Sequence, residues 1–150
     1  MKRVQGMRAG LFGLTFGALA LTAPSLMAAE QCEDTALGET MEEMKTSFKS
    51  LRGAAKSGDW DNIAPARAKL SELASTAADE QPLKLNDIAE AERPQMLEDY
   101  RAGISELQEL LDQLAAAEQS RDLDGMRELV AQLGQHSKDS HKRFKKDCDD

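Results

Sequence analysis

The sequence PQMLEDYRAGISELQELLDQL, residues 94–114, decides the fold, because its apolar side chains alternate in spacing between three and four residues. These side chains are Leu97, Tyr100, Ile104, Leu107, Leu111 and Leu114. The spacing places all six on one face of an α-helix, opposite a charged face. Pro94 suits the first turn of such a helix, where its missing N–H is not needed. The stretch therefore predicts a long helix that buries one face.

Three other stretches have the same periodicity. The first covers residues 35–57, the second begins within residues 59–65, and the last covers residues 123–148. Two connections are short, and the middle one, residues 80–93, is long for a helical bundle. Four amphipathic helices joined in this way predict an all-α, antiparallel, up-down-up-down four-helix bundle.

Residues 1–29 have the composition of a secretory signal peptide. Lys2, Arg3 and Arg8 precede an apolar run at residues 11–21, which is too short to span a bilayer comfortably. Small residues then predict cleavage after Ala28 or Ala29. We therefore expect export to the periplasm, with residues 30–150 forming a single bundle domain.

The charge of the chain limits its partners. The formal net charge is −8, and removal of residues 1–29 takes away three cations and no carboxylate, which leaves −11. Such an acidic protein is poorly suited to nucleic acid or to anionic membrane surfaces. We expect neither nucleic-acid binding nor stable membrane association, and a protein partner with a basic docking face.

Two cysteines, Cys32 and Cys148, lie near the ends of the mature chain. They form no CxxC pair, and the sequence has no CxxCH haem-attachment motif. In an exported protein this arrangement predicts a Cys32–Cys148 disulfide. The bond requires both chain ends to lie at one end of the fold, as the predicted topology also does.

Met41 and His141 are the candidate ligands for a metal centre. Counted along the helices from the predicted disulfide, they lie at similar levels, on faces that also carry core residues. A thioether and an imidazole that face each other across a bundle can occupy the two axial positions of a haem iron. The alternative for each is structural, because methionine commonly fills helical cores and histidine commonly lies at their boundary.

The sequence contains none of the usual catalytic arrangements. It has no HExxH motif, no phosphate-binding glycine loop and no recognisable nucleophile–histidine set. Its many carboxylates fit solvated helix faces. We therefore predict that the protein is not an enzyme.

Four segments, in order and at similar spacing, resemble the cytochrome b562 family. They are TMEEMKTSFK at 40–49, LKLND at 83–87, DYR at 99–101 and SHKRF at 140–144. The resemblance implies a periplasmic electron carrier that holds one non-covalent b-type haem. It assigns Met41 and His141 as the axial ligands, Leu37, Met44, Tyr100 and Ile104 as the apolar wall of the haem pocket, and Lys145 as a basic residue near the haem edge.

The chain also departs from the family pattern. Ser137 occupies a position where the best-known member has an arginine, Ile104 replaces an aromatic residue, and the cysteine pair is additional. These differences bear on redox potential and haem affinity more than on ligation. The competing hypothesis is an exported helical bundle that binds a partner protein and carries no cofactor.

Overall fold

The computed structural model describes residues 35–146, which form an all-α four-helix bundle, as predicted. The helices are α1 (Ala36–Ser57), α2 (Trp60–Ala78), α3 (Arg93–Ser120) and α4 (Leu123–Phe144). Two 3₁₀ helices, Leu83–Asp87 and Glu90–Glu92, lie in the long connection. Among the described residues, no helix is both long and apolar enough to cross a membrane.

Side-chain caps fix where three of the helices begin. Thr35 Oγ1 accepts a hydrogen bond from the Gly38 N–H, and Asp122 Oδ1 accepts one from the Gly125 N–H, each at 3.0 Å. Asp59 caps α2 in the same way. Each cap satisfies a backbone donor that has no partner inside its helix.

The last helix is shorter than its sequence pattern predicts. It ends at Phe144, and Lys145 is extended, with φ −72° and ψ 132°. The prediction of a helix to Cys148 is therefore wrong, because the chain leaves helical geometry at Lys145. The signal peptide, Cys32 and Cys148 lie outside the described residues, so the cleavage site and the disulfide remain predictions.

Contacts between the helices relate their ends to one another. Arg127, in the first turns of α4, donates to the carbonyls of Ala55 and Lys56 at the end of α1, at 3.1 and 3.0 Å. Arg67, early in α2, pairs with Glu118, late in α3, at 2.6 Å. The up-down-up-down order remains a prediction. It requires contacts of this kind, in which the start of one helix meets the end of its neighbour.

The buried side chains form two clusters. The larger, here the main core, runs through all four helices, and its largest fully buried members are Leu51, Ile63, Leu70, Leu111, Leu114 and Met126. The smaller, here the end cluster, consists of Ala77, Tyr100, Ile104 and Phe144. It lies at the long-loop end of the bundle, where α2 and α4 end and α3 begins. The opposite, short-turn end contains the turns at residues 58–59 and 121–122.

Candidate functional site

The end cluster provides an apolar wall beside the start of α1. The Tyr100 and Phe144 rings meet edge to face, with centroids 5.6 Å apart and an interplanar angle of 82°. Such a contact is a favoured geometry for aromatic pairs. Leu37 packs against the cluster and is half-buried. The structure thus brings together Leu37, Tyr100 and Ile104, three of the predicted pocket residues.

Tyr100 is fixed in this wall by its hydroxyl group, which donates a hydrogen bond to the Ala77 carbonyl at 2.8 Å. Burial, and then the nearby Glu80 carboxylate, raise the pKa of Tyr100 to about 12. The side chain is therefore neutral at physiological pH. Its bond joins the start of α3 to the last turn of α2.

The two methionines of the first helix have different environments. Met41 is half-buried and packs against both the main core and the end cluster. Met44 is buried within the main core. Of the two, only Met41 packs against the end cluster, and the assignment of Met44 to the haem pocket remains a prediction.

His141 lies on α4 and is exposed, although its sequence position predicts a side chain directed at the core. It is about 60° around the helix from buried Phe144 and about 20° from Gly134. A Cβ on Gly134 would lie 3.5 Å from Phe48 of α1. His141 is therefore on the flank of α4 that faces α1.

The imidazole of His141 is poorly suited to carry charge. Burial of part of the ring, and then the positive charge of Lys145, lower its pKa below the usual value of 6.5. Lys145 itself is exposed. His141 is consequently neutral at pH 7, which is the form that can donate a nitrogen lone pair to a metal.

Two features of this region were not expected from the sequence. The Oε2 atom of Glu80 is buried and has no hydrogen-bond partner among the described residues. The second is the ion-pair geometry of His136, a residue that its helix angle indicates as solvated or at a boundary: its side chain is 17% exposed, and Nδ1 lies 3.6 Å from Glu106 Oε2. Periodicity could suggest the position of His136, but nothing in the sequence around residue 80 indicated a buried carboxylate oxygen.

The family model for cytochrome b562 matches residues 36–145, a range that contains all four helices and both candidate ligands. The chain belongs to the cytochrome b562 family. Members of this family are haem-binding, electron-transfer helical bundles, and they are not typically enzymes. No curated protein matches the sequence.

The residues at this end of the bundle are chemically suited to a haem group. Met41 offers a soft thioether at the border of an apolar cluster, and His141 offers a neutral imidazole on the neighbouring helix. This donor pair is found in haem electron carriers. Leu37, Tyr100 and Ile104 supply the apolar surface that a porphyrin ring requires.

Proposed function

We propose that this cytochrome b562 family member is a periplasmic electron carrier that binds one non-covalent b-type haem through Met41 and His141. The observation that carries the proposal is the position of these two side chains. Met41 borders the end cluster from α1, and His141 lies on the flank of α4 that faces α1. Membership of the family supports haem binding and electron transfer. The ligand pair and the periplasmic location are part of our proposal.

Each ligand has a distinct role in this proposal. Bound haem would supply an iron that changes oxidation state by one electron, and Met41 and His141 would hold it in both states. As a ligand, the Met41 thioether would favour the ferrous state and thereby raise the reduction potential. The lowered pKa of His141 keeps its ring nitrogen free of a competing proton at neutral pH.

The surrounding residues hold the ligands and exclude water. Leu37 and the buried Ile104 cover one side of the site, which lowers the local dielectric constant. Near His141, Arg143 donates to Asp99 Oδ2 of α3 at 2.8 Å. This bond fixes the last turn of α4 on the bundle, so the imidazole is carried by a supported helix.

The test is the visible spectrum of the mature protein after expression with ample haem, oxidised and then reduced with dithionite. We expect a sharp, narrow reduced α band and a haem that organic solvent extracts. His141→Ala should lower haem affinity by about a hundredfold or more, on the scale of effects at metal centres. Met41→Ala should retain the fold but change the spectrum.

His136→Ala is the matched control, because it removes the other histidine of the same helix. It should leave the spectrum unchanged. If His141→Ala and Met41→Ala both kept the parent spectrum and affinity, the ligand assignment would be wrong.

One observation favours the cofactor-free alternative. Phe144 is buried against Tyr100, so the end cluster is closed by its own side chains without a ligand. Under that hypothesis the purified protein is colourless, remains helical and does not take up added haem. The same spectrum therefore separates the two functions.

A further inference from the structure

The charges of the described chain are divided between the two halves of the bundle. Residues 35–58 and 123–146, which contain α1 and α4, carry ten Lys and Arg and six Asp and Glu, a net charge of +4. Residues 59–122, which contain α2 and α3, carry six Lys and Arg and fifteen Asp and Glu, a net charge of −9. The overall acidity of the protein therefore conceals a basic half.

On α1, the cations lie beside the candidate ligand. Lys45 is about 40° and Lys49 about 80° around the helix from Met41, on the side away from buried Met44. The Lys45 side chain is 75% exposed. Glu42 lies on the same side, about 100° around the helix from Met41, and pairs with Lys45 at 3.0 Å. Glu43 lies toward α2, where its carboxylate pairs with Lys69 at 3.3 Å.

The same arrangement occurs on α4. Lys138 is about 60° and Lys142 about 100° around the helix from His141, both on the side away from Phe144. The Lys142 side chain is 78% exposed, and its Nζ lies 3.9 Å from Asp139 Oδ1. The positive side chains of both helices thus flank the groove between α1 and α4.

We infer that the α1–α4 face, around Lys45, Lys49, Lys138 and Lys142, docks a redox protein whose own docking surface is rich in Asp and Glu. This inference rests on the proposed function, because it places the partner beside Met41 and His141, the residues that would hold the haem. Electrostatic complementarity of this kind orients partners and raises association rates. Net charge alone predicts a partner with a basic docking face, whereas the charge of the α1–α4 face predicts a partner with an acidic one.

The test measures reduction of the ferric, haem-loaded protein by an acidic plant-type ferredoxin, followed by haem absorbance in a stopped-flow instrument. Although both proteins are acidic overall, the second-order rate constant should fall as ionic strength rises from about 10 mM to about 300 mM, because salt screens the local attraction. A rate constant that rises with salt would overturn the proposal.

Two triple variants with equal net charge distinguish the effect of the α1–α4 face on the rate constant from the effect of the net charge of the whole protein. Lys49→Gln, Lys138→Gln and Lys142→Gln remove three cations from the α1–α4 face. Ser75→Glu, Ser105→Glu and Gln113→Glu add three carboxylates at exposed positions of α2 and α3. The first set should lower the rate constant at low salt by about three- to tenfold, and the second by less than about twofold. Equal losses would show that net charge alone governs the rate.

A second measurement does not need haem. Polyglutamate is added to the isotopically labelled mature protein, and backbone amide shifts are followed by NMR. Shifts confined to the α1–α4 face support the docking surface even if the protein proves colourless, in which case only the proposed function fails. Shifts elsewhere, or none, overturn it. A third result would assign the face to a membrane surface instead. In that case the parent protein cosediments with anionic phospholipid vesicles, and the Lys→Gln variant loses this binding without a change in the rate of reduction by ferredoxin.

Discussion

At the short-turn end of the bundle, Leu51, Ile63, Leu114 and Met126 have no exposed surface, and each comes from a different helix. At the long-loop end, the buried cluster is smaller and contains two aromatic rings, and its neighbours Leu37 and Met41 are only half-buried. Burial of apolar side chains is the main stabilising contribution to folding. The comparison indicates that the short-turn end contributes more to stability, and that Leu37 and Met41 leave apolar surface partly exposed at the long-loop end.

The largest expected effect comes from comparing the same substitution, Leu→Ala, at the two ends of the bundle. Leu114→Ala should lower the free energy of unfolding of the haem-free protein by about 3–5 kcal/mol, because it leaves a cavity in the main core. Leu37→Ala should lower it by about 1 kcal/mol, because that side chain is half exposed to water. Urea unfolding followed by circular dichroism measures both. Equal losses would contradict the comparison.

Alkaline pH should weaken the long-loop end selectively. The Tyr100 pKa is about 12 in the folded protein and about 10 in the unfolded chain, so the unfolded state loses the proton first. The stabilisation is complete below about pH 10 and is lost toward pH 12, by about 2–3 kcal/mol. Other groups titrate in this range, so the measurement is the difference in unfolding free energy between the parent and Tyr100→Phe at each pH.

At neutral pH the same variant tests the hydrogen bond. Tyr100→Phe keeps the ring against Phe144 but removes the donor to the Ala77 carbonyl, so we expect a loss of about 1 kcal/mol. That carbonyl also accepts from the Glu80 N–H at 3.2 Å, which limits the cost. A loss as large as that of Leu114→Ala would mean that the end cluster depends on this one bond.

The smallest expected effect concerns acid. Because the His141 pKa is lowered in the folded state, the unfolded chain takes up its proton at a higher pH. The stability of the haem-free protein should therefore decline as pH falls through about 6.5. His141→Gln should flatten this part of the stability profile, whereas His136→Gln serves as the control on the same helix. An unchanged slope in His141→Gln would show that the ring is fully solvated.

The sequence was most informative where one physical rule dominates. Hydrophobic spacing predicted α3 because that helix buries a continuous stripe, and Pro94 predicted its first turn because the fit of proline to that position is local. The end of α4 was wrong by four residues. Beyond Phe144, Lys146 bonds to Asp87 in the long connection at 3.0 Å, a contact between residues far apart in sequence that periodicity does not contain.

The candidate site shows a different limit. Periodicity gives the angle of a side chain around its helix but not its depth in the bundle. It therefore placed Met41 and Met44 on one face without showing that only Met41 borders the end cluster. The same limit explains why His141 was expected to point at the core. Its position around the helix is next to the core face, although its side chain is exposed.

The two hydrogen bonds of Arg127 have a mechanical consequence. Among the described residues, hydrogen bonds between α1 and α4 come from this side chain alone, and it lies at the short-turn end. The two helices are therefore joined by hydrogen bonds at that end only. Because Arg143 holds the last turn of α4 to α3, a separation of α1 from α4 at the long-loop end would come from movement of the start of α1. We expect a flat ring to be able to enter there while Leu51 and Met126 stay packed, so that loading would require no unfolding of the whole bundle.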